Sequence, residues 1–375
     1  MWVTIYNGIM VNYCLKKGVD NMSKLNVCVL FGGVSSEHEV SLLSSTTIVK
    51  ALDKDKYNIH MIGITKDGQW KYFDDSVDEI VNFDNNFSKY KKAIISPDRE
   101  DKGILILDNG KIEKIAVDVC VPAMHGRNGE DGTMQGLFEL AGIPYVGPGV
   151  IGSAVCMDKG VAKIMFREAD IPQSAWVEIK ADSKGNYDEK KLDEIEEKLG
   201  FPCFVKPCNA GSSVGITKAK DRASLEKGLK DAFIHDKKVI VEEAVNAREV
   251  ETSVMGNSDP LCAPVVGEIV AAADFYDYDA KYKDESSKLV MPAELDDMTV
   301  EKLRGYAVKA YKICECKGLS RVDFFIDKDT GAIKLNEINT LPGFTSISMY
   351  PKLWEKSGLK ITDLLDKLIE YAMEG

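Results

Sequence analysis

Along this chain, short unbroken apolar runs alternate with stretches in which apolar positions recur every three or four residues, so strands should alternate with helices. Leu25-Asn-Val-Cys-Val-Leu-Phe31 reads as a buried strand ending at Gly32-Gly33, and a helix is expected through Val40–Leu52 with Ser35 or Ser36 as its cap. Tyr57–Ile64 reads as a second strand. Ile104–Leu107 and Lys111–Ile115 should form a hairpin around Asp108-Asn-Gly110, and Ala116–Pro122 another buried strand. The β-α-β order predicts a Rossmann-like parallel α/β domain over residues 23–147.

A small central α+β region is expected over 148–245. It holds a helix around Met157–Phe166, helix Tyr187–Leu199 closed by Gly200, strand Cys203–Lys206, helix Arg222–Ile234 and strand Val239–Glu243. The last α+β region, 246–375, begins with a strand at Glu249–Met255. It continues with helix Val300–Cys316, a hairpin turning at Asp327-Lys-Asp-Thr-Gly331, and an amphipathic helix Asp363–Met373 capped by Thr362. Residues 1–22 stand apart. Lys16 and Lys17 follow the apolar part rather than precede it, the wrong order for a secretory signal, so this stretch reads as a disordered or non-native leader with Met22 as a candidate start.

With 375 residues, 45% hydrophobic and 29% charged, the chain has material for two or three domains. No apolar run reaches the ~20 residues of a membrane span. A net charge of −12 argues against nucleic acid and against anionic membranes as partners. The nine cysteines are scattered, odd in number and without a C-x-x-C pair, which suits reduced thiols in a cytoplasmic protein better than a zinc site or disulfides. Cys314-x-Cys316 reads as packing.

The most informative chemistry lies in the 321–339 hairpin. With the turn near Asp329–Thr330, Asp323 falls opposite Glu337, and Asn339 shares the face of Glu337. Two adjacent carboxylates repel unless a cation lies between them, and an all-oxygen set suits Mg²⁺. Arg321 adds a positive fork on the same face. A solvated face with scattered charges is the plainer alternative.

Four further segments carry candidate chemistry. Lys206-Pro-Cys-Asn-Ala-Gly-Ser-Ser-Val-Gly215 places a lysine before a Gly/Ser loop able to cradle phosphate, though it is neither a Walker A loop nor G-x-G-x-x-G; Lys159 could add a second charge. Backbone groups of Glu243–Val245 could meet a purine edge, with Glu242 and Glu249 accepting from an amine and from ribose hydroxyls. His125-Gly-Arg-Asn-Gly-Glu-Asp-Gly132 follows a strand at the expected place for a ligand in an open α/β sheet, or is a glycine-shaped turn. Glu37 and Glu39 flank His38 where the first strand meets its helix; either caps the helix or grips a substrate ammonium.

In this order the pieces resemble the ATP-grasp ligases, and among them the D-alanine–D-alanine ligase family. The likeness runs from Lys24 to about Ala372. It rests on Gly32-Gly33-x-Ser-x-Glu-x-Glu39-Val-Ser, His125-Gly-x-x-Gly-Glu-Asp-Gly-x-x-Gln-Gly136, Met157-Asp-Lys159, Gly211-Ser-Ser-Val-Gly215, Phe275-Tyr-Asp-Tyr-x-x-Lys-Tyr282 and Asn336-Glu-Ile-Asn-Thr-x-Pro-Gly343-Phe-Thr-Ser346.

The resemblance implies an ATP-grasp architecture and ligation of two D-alanines through an acyl phosphate. Lys159, Lys206 and Lys281 would meet the phosphates of ATP under the loop bearing Ser213. Glu242, Ala244, Val245 and Glu249 would surround adenosine. Asp323, Glu337 and Asn339 would hold two Mg²⁺ or Mn²⁺, with room for a monovalent cation. Glu39 would bind the ammonium of the first D-alanine, supported through Ser212 and Tyr282, with His125 lining that site. Arg321 and the N–H of Gly343 would stabilise the oxyanion, while Ser348 and Met349 would meet the second amino acid. A mobile lid over 275–290 and a cytoplasmic homodimer are also implied. Apolar Met349 favours D-alanine over D-serine as second substrate. A D-alanine–D-serine ligase and a catalytically silent nucleotide-binding regulator are the alternatives.

Overall fold

The computed structural model describes residues 23–183, 185–270 and 288–374. The expected leader, Lys281, Tyr282 and most of the 275–290 segment lie outside the described residues. Three sheets organise the rest.

The first comprises β1 (Leu25–Gly32), β2 (Tyr57–Ile64), β3 (Trp70–Phe73), β4 (Lys92–Ile95), β5 (Gly103–Asp108), β6 (Lys111–Ala116) and β7 (Val119–Pro122), in the order β6-β5-β4-β3-β2-β1-β7. Helices α1 (His38–Ala51), α2 (Phe83–Asn86) and α3 (Thr133–Ala141) accompany it. Only β2, β1 and β7 run parallel; β2 through β6 form an antiparallel meander. The expected parallel domain is therefore mixed. Residues 65–69 alone join β2 to β3, too few for a parallel crossover. The predicted β5–β6 hairpin forms around Asn109 and Gly110, both at positive φ.

Next come α4 (Val150–Met157) and α5 (Lys159–Glu168), then β8 (Trp176–Lys180), α6 (Lys190–Lys198), β9 (Cys203–Pro207), β10 (Thr217–Ala219), α7 (Arg222–His235) and β11 (Lys238–Glu243). The four strands form an antiparallel sheet, β10-β9-β11-β8. Val177, Val205 and Val241 pack on Ile195 of α6 and Leu225 and Leu229 of α7. Asp221 and Ser224 start α7 with a reciprocal capping box. Helices α4 and α5, grouped with this region in the sequence reading, bury Cys156, Ala162 and Phe166 in the core of the third sheet instead.

That third sheet has β12 (Ala247–Met255), β13 (Leu261–Cys262), β14 (Gly267–Val270), β15 (Lys288–Val290), β16 (Leu319–Asp327) and β17 (Ile333–Asn339). Its path is β15-β14-β12-β16-β17, with β13 on β12. Helix α8 (Asp297–Ile313) starts before Val300 because the Asp296 carboxylate caps it, accepting the Thr299 N–H at 3.0 Å. The hairpin forms where the alternation predicts it. Asp327 Oδ1 accepts the N–H groups of Asp329 (3.0 Å) and Thr330 (2.9 Å), and Gly331 takes φ +71°. Helices α9 (Met349–Lys356) and α10 (Ile361–Met373) then return to the first sheet. Leu353, Trp354, Leu364 and Leu368 share a core with Val27, Leu42 and Val121. The C-terminal helices thereby fasten the third sheet to the first, with a cleft left open toward the second.

Candidate active site

A cleft of about 2050 Å³ collects every described candidate from the sequence, from Glu39 on α1 to Ser348 and Met349 at α9. Its wall on the second sheet is built by β9 and β11. Lys206 pairs in register with Ile240, so Glu242 lies one step along on the same face. Glu242 is buried, with the Lys163 ammonium 2.5 Å from one oxygen and Lys206 on the other. Burial alone would raise its carboxyl, yet the two ammoniums hold it down at about 2. Burial likewise works against the charge on Lys206, but Glu242, with Glu337 and Glu249 further off, raises its pKa. Lys206 thus stays cationic. Lys159 Nζ reaches across to Ala210 O at 2.8 Å, at the start of the Gly/Ser loop. The neighbouring Ala244 N–H is engaged by Pro202 O at 3.2 Å.

In that loop Ser212 and Ser213 stand at φ +47° and +60°, a left-handed conformation that non-glycine residues seldom adopt. The turn carries Ser212 to the first domain, where its hydroxyl donates to Glu37. The expected support of Glu39 through Ser212 is therefore corrected. Glu39 is exposed and pairs with Lys66, whose hydrogen bond lowers its pKa. Glu37 is buried, and its Oε2 has no hydrogen-bond partner. It lies at the N-terminus of α1 without capping it by its side chain. Gly126 and Gly211 leave room for this carboxylate, since a Cβ on either would come within 2.5 Å of Oε2. Sequence alone left Glu37 and Glu39 equivalent. Only the helix start, at His38, turns one inward and the other out.

In the hairpin Asp323 stands opposite Glu337, the expected partner, and Arg321 opposite Asn339. The pairing shifts between Asp323 and Phe324, a bulge beside the chemistry. Arg321 donates to both oxygens of Asp323, at 2.8 and 2.7 Å, and lies 2.9 Å from Glu251, an acidic neighbour missed in the sequence. Asn339 donates its amide to Asp323 at 2.9 Å. Two carboxylates on one strand pair, partly neutralised by Arg321, with an amide beside them, form the hard-oxygen set that a Mg²⁺-sized cation requires. The residues fit such ions, once the Asn339 amide turns its oxygen toward them.

At the far end, the segment after β17 brings Gly343 against Ser348. A Cβ on Gly343 would lie 2.7 Å from Ser348 Oγ. Thr345 holds that hydroxyl through its N–H (2.9 Å) and its own Oγ1 (2.8 Å). Met349 opens α9 and is buried, its Sδ packed over Gly267. His125, expected to line the first amino acid's site, is buried with both ring nitrogens engaged, by Leu341 O and Ser44 Oγ at 2.9 Å each. Glu130 is another residue the sequence reading left in a turn. It accepts the N–H groups of Gly126 (2.7 Å) and Leu341 (3.0 Å), while burial, reinforced by nearby Glu37, raises its pKa to about 8.

The mixed α/β first sheet, the two antiparallel sheets and the lysine-lined cleft define an ATP-grasp architecture. Residues 26–148 match the family model for the D-ala D-ala ligase N-terminus, and residues 165–370 match that for the C-terminus. A D-alanine–D-alanine ligase of Ruminiclostridium cellulolyticum is 51% identical over 364 residues, 94% of this chain and 96% of the relative. Among solved structures, the VanG D-Ala:D-Ser ligase from Enterococcus faecalis superposes with a TM-score of 0.84 at 39% identity, covering 93% of this chain and all of that one. The D-alanine–D-alanine ligase from Coxiella burnetii gives 0.79 at 34%, over 94% and 96%. This chain belongs to the D-alanine–D-alanine ligase family.

Proposed function

We propose that this chain joins two molecules of D-alanine, with ATP activating the first and ADP and phosphate leaving, to supply the dipeptide for peptidoglycan precursors. The observation that carries this reading is the pairing of Asp323 with Glu337, flanked by Arg321, in the same cleft as Lys206 and Gly343. A carboxylate is a poor electrophile. Transfer of the γ-phosphoryl group to it gives an acyl phosphate, which has a good leaving group, and such transfer depends on positioning and charge neutralisation. Lys159 and Lys206 meet the phosphates, joined by Lys281 on the family pattern. Asp323, Glu337 and Asn339 would hold the two Mg²⁺ or Mn²⁺ ions. Those ions, when bound, neutralise charge on the phosphoryl group in transit.

Glu37 takes the ammonium of the first D-alanine, the role that the resemblance first suggested for Glu39. Its free, buried Oε2 supports this, because a buried carboxylate with an open lone pair is a strong partner for a cation. The amine of the second D-alanine attacks the acyl phosphate. The developing oxyanion is met by Arg321 and the Gly343 N–H, and the second carboxylate by Ser348 and the first N–H groups of α9. The resemblance assigns the exclusion of water to Tyr282 and the 275–290 segment, most of which lies outside the described residues. The enzyme works as a cytoplasmic homodimer, and a monovalent cation can assist it.

D-serine is the competing second substrate, as one structural neighbour's own name illustrates. Met349, apolar and packed on Gly267, offers a hydroxymethyl group no polar partner, which supports D-alanine. The test supplies ATP with an equal mixture of D-alanine and D-serine. Predominantly D-alanyl-D-alanine is expected, and predominantly mixed dipeptide overturns the assignment. Phosphate release with D-alanine but not L-alanine tests the ligase reading itself.

A further inference from the structure

The segment 340–348 that carries Gly343 belongs to the third sheet, yet side chains of the first domain hold it in place. Leu341 is gripped at both ends of its backbone. Its N–H donates to Glu130 Oε1 at 3.0 Å, and its carbonyl lies 2.9 Å from His125 Nδ1. Three residues further on, the Phe344 N–H donates to Ser44 Oγ at 3.1 Å. Gly343 therefore sits between two anchored residues, and a Cβ built on it would lie 4.0 Å from Ser44 Oγ.

The proton inventory of these contacts closes in only one way. The Leu341 carbonyl can only accept, so His125 carries its proton on Nδ1. Nε2 must then accept, so the Ser44 hydroxyl, 2.9 Å away, donates to it and receives the Phe344 N–H on a lone pair. A second proton on His125 would leave the Ser44 hydroxyl hydrogen without an acceptor here. Burial, which lowers the pKa of His125, keeps the ring neutral against the pull of Glu37. Glu130 completes the clamp. Its other oxygen accepts the N–H of Gly126, the residue after His125, so one turn after β7 holds both sides of the Leu341 peptide.

We propose that Ser44, His125 and Glu130 are positioning residues that fix the Leu341–Phe344 segment so that the Gly343 N–H faces the tetrahedral oxyanion. This rests on the reading of Gly343 as an oxyanion donor. None of the three has to touch substrate. A preformed donor acts because it needs no reorganisation at the moment of reaction, and loosening its support forfeits that advantage.

The oxyanion forms only when the amine attacks, so the clamp matters for the second half-reaction and not for phosphoryl transfer. Rapid-quench single turnovers separate the two as ADP formed and dipeptide formed. For Ser44→Ala and Glu130→Gln, ADP formation and the KM for ATP are expected within ~3-fold of wild type, while dipeptide formation slows about 10- to 100-fold. A burst of ADP ahead of dipeptide should then appear. His125→Asn, which can still donate to Leu341 O, is expected to recover part of the dipeptide rate lost in His125→Ala. Equal slowing of both half-reactions, or of neither, overturns the proposal. Wild-type enzyme that forms no ADP with D-alanine would instead refute the ligase reading beneath it.

Discussion

The Ser212 hydroxyl donates to the Glu37 carboxylate, and this one bond joins the Gly/Ser loop after β9 to the start of α1. The loop belongs to the sheet that presents Lys206, and the helix follows β1 of the first sheet. On the proposed function, closing the loop over phosphate and fixing the Glu37 carboxylate that meets the substrate ammonium are thus one event.

Glu37→Gln keeps the shape and can still accept from Ser212, but it removes the charge that faces the cleft. Losing a desolvated ion pair with the donor ammonium should cost about 2–4 kcal/mol in kcat/KM for the first D-alanine, roughly 30- to 1000-fold. Glu39→Gln breaks only an exposed pair with Lys66 and should stay within about 2-fold of wild type. Initial rates over a range of D-alanine concentrations check both. The reverse order of damage would restore Glu39 to the site.

Gly211→Ala tests the junction without touching a charge. The new Cβ would lie 2.5 Å from Glu37 Oε2, so the loop must draw back and give up the Ser212 bond. Gly211 carries no left-handed φ, so the backbone itself tolerates alanine. The melting temperature should shift by no more than ~2–4 °C, while kcat/KM for D-alanine falls about 10-fold or more. A large loss of stability with unchanged kinetics would show that the loop is not bound to Glu37 in the working enzyme.

What the sequence made legible follows from period and turn chemistry. Alternation on either side of Asp327-Lys-Asp-Thr-Gly331 brought Asp323 level with the 336–337 pair, and the bulge between Asp323 and Phe324, which leaves no trace in the period, is what sets Glu337 rather than Asn336 opposite it. Glu37 and Glu39 could not be separated in the same way. Their two-residue spacing straddles a helix start, where neither period holds, and the difference lies in contacts from loops more than eighty residues away. His125 was placed in the cleft, but its hydrogen bonds to Ser44 and Leu341 span 81 and 216 residues and leave no local trace. The β5–β6 hairpin was read from its turn, but the antiparallel run from β2 to β5 was missed because buried strands of either direction read as the same apolar runs, and only the short β2–β3 connection hints otherwise.

Glu337→Gln should separate metal chemistry from folding. The residue sits at the third sheet's cleft face, outside the apolar clusters, so far-ultraviolet circular dichroism and melting temperature should change little. Removing a carboxylate from the ion-binding face should raise the Mg²⁺ needed for half-maximal rate by about 10- to 100-fold and depress turnover at saturating Mg²⁺ about 100-fold or more. Near-normal rates and an unshifted Mg²⁺ titration would remove Glu337 from the ion-binding set.

Glu242 makes a prediction about acid stability. Lys163 and Lys206 hold its carboxyl at about 2, against 4.5 for an unperturbed glutamate. With the folded value below the unfolded one, the unfolded chain binds more protons between these pH values. The stabilisation is therefore full above pH 4.5 and lost as pH falls through about 2. Over that span it amounts to about 3 kcal/mol at 1.36 kcal/mol per unit. Glu242→Gln lacks this titration, and at neutral pH it also leaves two buried ammoniums without their counter-ion. Urea unfolding without nucleotide should therefore find the variant markedly less stable than wild type at pH 5. That gap should narrow by about 2 kcal/mol by pH 3, as Glu242 of the unfolded wild-type chain takes up its proton while the folded one stays ionised. A gap that stays constant with pH would mean that the two lysines do not keep Glu242 ionised.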